Sequence, residues 1–469
     1  MNPCIKFCLP LLLAALGLML AGRVTAQTFT TLHSFDGSNG ANPNGSLVLS
    51  GSTLYGTTVD GGSSGQGTVF AINTNGTGYT NLYIFTGGND GGNPYGGLVL
   101  SGNVLYGTTQ SGGSSGNGTV FAVNTNGTGF TNLHSLDGYK DGARPFAGLV
   151  ISNNTLYGTA YIGGDSTNGT LFKVNSDSTS FTILHTFTEF PDGGLPQAGL
   201  ILSGDTLYGT AADGGSFGSG TVFRVNTDGT VYGVVHSFTA YDPYNNGTNS
   251  DGDYPTSSLT LSGDTLYGTT QSGGSSGHGT VFAVNADGTG LTNLHSFAAG
   301  SGPWFSFTNS DGATPIAGLI LSGNTLYGTT ADGGSAGNGT VFAINTNGTG
   351  FTVLHTFSGS SGGGSPQAGL ILSGNTLYGT SKHGGSYGGG TVFSLSFSPQ
   401  LTIILSDINV ILTWPTNYAG FDYTGFTLQS TTNLLLPVWT TNSPSPVVVN
   451  GQNTVTNPSG TQQLYRLSQ

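Results

Sequence analysis

The tetrapeptide Leu-Tyr-Gly-Thr occurs seven times, with tyrosines at Tyr55, Tyr106, Tyr157, Tyr208, Tyr267, Tyr327 and Tyr378, at spacings of 51, 51, 51, 59, 60 and 51 residues. The text around each copy returns as well, as in AGLILSGNTLYGTTADGGSAGNGTVFAINTNGTGF at 317–351. A unit that small cannot bury its own apolar face, so neighbouring units must stack on one another. That restricts the chain to a ring of units or an open solenoid.

Each unit contains four strand-like runs, a to d. In the first unit these are Ser46–Ser50, Thr53–Val59, Gly67–Asn73 and Tyr79–Phe85. Runs a and b are joined by Ser-Gly-Asn or Ser-Gly-Asp, and c and d by an Asn-Gly-Thr-Gly type of turn. Asn-Gly tolerates the positive φ of tight hairpins. Four antiparallel strands make one propeller blade. The chain begins with a d-type run, residues 28–35, before any a run, and ends the last repeat with a c-type run, 390–397, that no d run follows. Pairing 28–35 with 390–397 completes a seventh blade and closes the ring. A solenoid would leave both ends as exposed strand edges, which natural proteins avoid. The fold class expected is therefore all-β: a seven-bladed β-propeller over 27–397, a linker at 398–400 and a small C-terminal β-sandwich over 401–469.

Composition agrees. Glycine supplies 83 of 469 residues, glutamate occurs once (Glu189), and charged residues make up 6% against roughly a quarter in ordinary globular chains. Exposed helix faces draw on the residues that are missing, and strands draw on the Val, Thr, Tyr and Phe that are abundant.

The pattern P-x-A-G-L-x-L-S-G-x-T-L-Y-G-T-T-x-x-G-G-x-x-G-x-G-T-V-F-x-x-N-x-x-G-T over 28–397 resembles the bacterial GloVer tandem repeat of "choice-of-anchor" proteins. The blade is also similar to kelch, in which a strand likewise ends in Gly-Gly. The resemblance implies an exported bacterial propeller with a variable C-terminal module and implies no particular chemistry.

Residues 1–26 read as a signal peptide: Lys6, an apolar stretch of 14 residues from Phe7 to Leu20, and Val24-Thr25-Ala26 before the cleavage point. The stretch is short for a membrane span of about 20 residues. Cys4 and Cys8, the two cysteines, both fall in it, so the mature chain from Gln27 has neither disulfide nor thiol. Without Lys6 and Arg23, six basic residues face 21 acidic ones, a net charge near −15. That argues against nucleic acid, which needs a basic surface, and the expected location is extracellular or at the bacterial cell surface.

Three repeated motifs have structural explanations. Gly-x-Ser-x-Gly occurs at Ser63, Ser114, Ser216, Ser275, Ser335 and Ser386, but a hydrolase elbow needs a following helix and His and Asp partners. Six histidines occupy one place in d: His33, His134, His185, His236, His295 and His355, with Tyr83 in the second unit. Asp-Gly-x-x-Pro precedes a at Asp90, Asp141, Asp192, Asp251 and Asp311, with Asn39 and Gly362 in the remaining units. This reads as an Asx-type turn before a proline-fixed crossing. Calcium, a hard cation that takes Asp and backbone oxygens, is the sharper reading, with Asp242, Asp251 and Asp253 as its candidate ligands.

A function beyond scaffolding must break the repeat. Two adjacent d-to-a loops are longer than the others. One runs from Tyr241 to Asp253, followed by Tyr254; the other spans Ala298–Ser310 and carries Trp304, the single tryptophan of the repeats, with Phe305 and Phe307. Aromatic rings beside Asn and Asp suit a sugar, and loops on a rigid scaffold are where function concentrates. Tyr241, Tyr244, Tyr254, Trp304 and Phe305 are the expected ligand-binding residues. Lys382-His383 and Tyr161-Ile162 with Asp165 are smaller departures on the same face. The C-terminal module resembles a fibronectin-type-III-like terminal module of exported proteins, with Trp414 and Trp439 expected in its core and no apolar tail. The expected function is non-catalytic binding or adhesion to a glycan or surface polymer. The alternatives are a secreted carbohydrate-active enzyme, lyase or hydrolase, and a purely structural surface protein. In most glycosidases two carboxylates do the work, and most aspartates here sit at repeated turn positions.

Overall fold

A computed structural model describes residues 25–242, 247–302, 307–406, 409–423, 425–431, 438–442, 444–458 and 463–468. All regular elements among them are β-strands. The chain divides into two compact units, one of Phe29–Ser394 and a second of Leu395–Gln469 with the residues before Phe29.

The larger unit is a succession of seven four-stranded sheets. The first contains Val48–Ser50, Thr53–Thr58, Thr68–Asn73 and Thr80–Ile84 at positions a to d, paired antiparallel in that order. In the seventh, the a, b and c strands Ile371–Ser373, Thr376–Ser381 and Thr391–Pro399 are completed by Thr25–Ser34, which hydrogen-bonds to the c strand.

The recurring tetrapeptide is explained residue by residue. Leu54 is buried in the core shared with the seventh sheet, and Tyr55 in the core shared with the second. Gly56 lies opposite Phe70 of the c strand, and a Cβ there would sit 2.6 Å from the Phe70 ring. The bare glycine lets that ring lie flat across the sheet. The Thr57 hydroxyl donates to the Gly96 carbonyl of the next sheet at 3.1 Å. Thr108, Thr210 and Thr329 do the same to Ala147, Ser257 and Ala368. At the seam, the Gly369 amide donates to Ser46 Oγ at 3.0 Å and the Asn42 amide to the Gly389 carbonyl at 2.7 Å. Phe35, Leu47, Leu54, Tyr378 and Val392 form one core there. The seventh sheet thus packs on the first as each packs on its successor.

At the outer strands the histidine and aspartate motifs prove to be partners. His134, His185, His236 and His295 lie 2.8, 2.8, 2.9 and 2.9 Å from Asp141, Asp192, Asp251 and Asp311. Tyr83, in place of histidine, donates its hydroxyl to Asp90 at 3.1 Å. Each aspartate also ties down its own loop, as Asp192 does by accepting from the Thr188 amide at 3.0 Å. The rings stack on an aromatic of the following sheet: His33 on Tyr79, Tyr83 on Phe130, His134 on Phe181, His185 on Tyr232, His295 on Phe351 and His355 on Phe29. A turn alone is an incomplete account of the aspartates, because the two motifs lie far enough apart in sequence to look independent.

The C-terminal unit contains a four-stranded and a three-stranded sheet and a two-stranded ribbon. Leu412, Trp414 and Val455 of the first share a core with Leu428 of the second. Two expectations are corrected, the linker and Trp439, and two elements are additional. The strand Thr391–Pro399 runs through the supposed linker, and Phe397 stacks on Phe421 at 4.3 Å. Gln452–Pro458 is a strand, too polar to be read as one, and it follows an Asn450-Gly451 turn with φ of 51° and 74°. Asn417–Tyr418 pairs with Phe421–Asp422 as a ribbon that was not expected. Trp439 is half-buried beneath the Arg466 guanidinium, 4.4 Å from its ring, and lies outside the core.

His355 has lost its aspartate to Gly362, and burial pushes its imidazole down to about 4. His33 and His185 are also lowered, first by burial. A histidine held neutral in the fold contributes stability that is complete above the unfolded value of about 6.5 and is lost as pH falls towards the folded value. The melting temperature should therefore fall between pH 6.5 and 4. His355→Phe, which keeps the stack on Phe29, should flatten that fall; an unchanged pH profile would contradict the assignment.

Candidate functional site

The crossing that precedes each a strand runs beside the b-to-c loop of its own unit, through bridges such as Ala41 to Asp60, Ala143 to Ile162, Asp253 to Ser272 and Gly364 to His383. The residue before each proline is left-handed in all seven units: Asn42, Asn93, Arg144, Leu195, Tyr254, Thr314 and Ser365 have φ between 53° and 61°. Asparagine tolerates this region; leucine, tyrosine and threonine are strained there.

The residues after the prolines converge. One cavity of about 370 Å³ is lined by Asn44, Tyr95, Phe146, Gln197, Thr256, Ile316 and Gln367, one from each unit, together with the small residues that follow them. Tyr95 meets Phe146 edge to face at 5.2 Å, and Phe146 meets Tyr161 at 5.0 Å. Tyr254 stands close by, its phenol pushed up by burial and by Tyr161, Asp213 and Asp253. Asp253 replaces the Gly or Ala of the other six units. Burial and the neighbouring Asp213 raise its carboxyl against a hydrogen bond from Ser219. Asn42 Nδ2 donates to Asp60 at 2.7 Å, and Ser111 donates to Asn93 at 2.7 Å. Among the described residues, no charged one lines the cavity itself.

Of the expected ligand residues, Tyr254 precedes Pro255 and the lining residue Thr256 but is not itself part of the lining. Tyr241 is 46% exposed and covers Gly247 of its own loop, which folds back through Asp242 and Thr248. Tyr244, Trp304 and Phe305 lie outside the described residues. Phe307 rests on His278, with ring centroids 4.4 Å apart. The calcium candidates are not assembled. Asp251 is buried against His236 and Thr239, Asp253 pairs with Ser272 of the b-to-c loop, and the Asp242 amide donates to the Thr248 carbonyl at 3.2 Å. Among the described residues no three His, Cys, Asp or Glu side chains group to hold a metal. Proximity along one loop suggests a cage that the backbone does not form. The Ser-Gly loops are turns, in which the Ser114 and Ser386 amides donate to the Ser135 and Ser34 hydroxyls at 3.3 Å.

Sequence reasoning missed the residues after the prolines. Their signal was present, for this place changes from amide to aromatic to aliphatic within otherwise repeated text.

Leu195 offers a test of the strain. Leu195→Gly should raise stability by about 1 kcal/mol, the order of the left-handed penalty, measured by thermal or denaturant unfolding. A loss of stability would mean that the Leu195 side chain contributes more in contacts than its backbone costs.

The extracellular domain of a putative one component system from B. thetaiotaomicron is 12% identical, with 84% of this chain and 46% of that one covered at a TM-score of 0.49. Oligogalacturonate lyase from Vibrio parahaemolyticus is 11% identical over 80% of this chain and 97% of the other, at 0.48. A putative 6-phosphogluconolactonase from Bacteroides uniformis is 15% identical over 88% and 98%, at 0.45. Likenesses this distant bear on neither ligand nor chemistry. Among curated proteins none matches the chain. The profile of the Gloeobacter/Verrucomicrobia repeat matches residues 19–223, 190–306 and 304–411, and the chain belongs to that family.

Proposed function

We propose that Phe29–Ser394 is a seven-bladed β-propeller and that the protein is an exported, non-catalytic binding or adhesion protein for a glycan or surface polymer. The observation that carries this reading is where the repeat breaks down. Units that are near-copies in their cores differ at the residues around one cavity, and those residues are two aromatics, three amides, a hydroxyl and one aliphatic, Ile316. Aromatic faces cover the apolar side of a sugar while amides and hydroxyls take its ring oxygens. Tyr254 and the long loops carrying Tyr241, Tyr244, Trp304 and Phe305 would extend this face outward. The signal peptide, with cleavage near Ala26, would deliver the chain outside the cell, and the C-terminal unit would serve attachment. A purely structural role leaves the variation at the cavity unexplained.

One observation favours a second reading, a carbohydrate-active enzyme. Asp213 and Asp253 are neighbouring carboxyls near the crossing that leads to the cavity, and Asp253 is shifted towards its protonated form, first by burial, which suits a general acid beside a second carboxyl.

The exported protein should be retained on at least one member of a panel of neutral polysaccharides, with Phe146→Ala and Tyr254→Ala reducing retention. Released reducing sugar that disappears in Asp253→Asn would favour the enzyme instead. Retention on nothing, with no sugar released, would remove both readings.

A further inference from the structure

We infer that the cavity takes the end of an uncharged saccharide chain, held end-on, and not a stretch from the chain's interior. This rests on the glycan reading above and adds the part of the glycan that is recognised.

Three observations point there. First, the wall is a ring: one side chain from each of the seven units lines the cavity, with the glycine, alanine and serine residues that follow them. There a Cβ on Gly45 would lie 2.6 Å from the Gly96 carbonyl oxygen, and one on Gly96 would lie 2.5 Å from Ala147 backbone. A ring-walled hole of about 370 Å³, open at its mouth, is at the small end of ligand sites, roughly 300–1,000 Å³. Among the described residues its walls come from all seven units, so a polymer would enter by an end more readily than it would run across. Second, the lining divides by chemistry. Tyr95 and Phe146 are adjacent and apolar-faced, the units on either side of them offer the amides Asn44 and Gln197, and Thr256, Ile316 and Gln367 complete the ring. One face of a sugar ring meets aromatics while its edge meets hydrogen-bonding groups. Asn44 Oδ1 and Thr256 Oγ1 are buried without a protein partner, a costly condition that a ligand hydroxyl would relieve. Third, among the described residues the lining carries no charge, and the crossings and b-to-c loops that lead to it hold Asp60, Asp213, Asp253 and Asp332 against Arg144 and Lys382. A uronate or sulfated sugar would meet net negative charge without a dedicated cation in the cavity.

The probes are the cello-, laminari-, malto- and xylo-oligosaccharide series from two to six units, their parent polymers, and trigalacturonate, titrated calorimetrically into the exported protein. For the series that binds, affinity should level off by the third unit, and the polymer should bind in proportion to its ends and not its mass. Trigalacturonate should not bind. Phe146→Ala should weaken binding at least tenfold and Thr256→Val, which keeps the side-chain shape, several-fold. Tyr139→Ala, which removes an exposed aromatic elsewhere, should leave it unchanged, and melting curves would verify that each variant is folded. Affinity still rising from three to six units, polymer saturating at many proteins per chain, or tighter binding of trigalacturonate would overturn end-on recognition while leaving glycan binding in place. A folded Phe146→Ala variant that binds normally would overturn the cavity as the site. No binding of any neutral saccharide would overturn the glycan reading itself.

Discussion

The b and c strands are buried on both faces. Thr53–Thr58 and Thr68–Asn73 are covered along almost their whole length, and so are their counterparts in every unit. A sheet with two apolar faces needs a neighbour on each side, which no finite open row can provide for its end members. The chain satisfies all seven by letting the last sheet cover the first. Everything else follows from that requirement: threonine hydroxyls that reach across to the next carbonyl, glycines that let phenylalanines lie flat, and the convergence of seven crossings on one cavity.

The outer strands add a second set of links. A histidine or tyrosine held by its own loop aspartate presents a flat ring to the aromatic of the next sheet, so each loop conformation is coupled to an inter-sheet contact. The set is least regular around the seam, where Asn39 and Gly362 stand in for aspartate beside His33 and His355. The ring of His355 there stacks on Phe29, which belongs to the N-terminal strand.

Much of this was legible in the sequence because repetition makes a pattern visible: strand positions, the Asn-Gly turns and the pairing of the N-terminal strand with the last c strand. What was not legible came from contacts between distant residues. His134 and Asp141 could each be noticed, but only three dimensions set them against each other, and Asp242, Asp251 and Asp253 looked clustered because they share a loop. Long insertions such as Tyr241–Asp253 stand out in a repeat because they change its length. The departure at Asn44, Tyr95, Phe146 and Gln197 is one of side-chain chemistry at constant length, and it becomes meaningful once the crossings are known to line one cavity. In the C-terminal unit, Gln452–Pro458 is mostly polar and buries Asn453 and Asn457 on either side of Val455, so apolar alternation could not reveal it.

The strand Thr25–Ser34 lies beside Thr391–Pro399 in one sheet, and this bears on how the protein reaches its native state. Contacts of such long sequence separation are entropically expensive to form and make for slow folding. The N-terminal strand, made first, has to wait, unpaired, until the last repeat arrives. During that interval any of six near-identical c strands is a plausible wrong partner, and the same strand of a second molecule is another. Irregularities at the seam, such as Phe29 with His355, give the correct partner an identity that the repeats lack. On this view the departures near the seam serve to make one register of closure more stable than its near-copies, and they limit strand exchange between molecules.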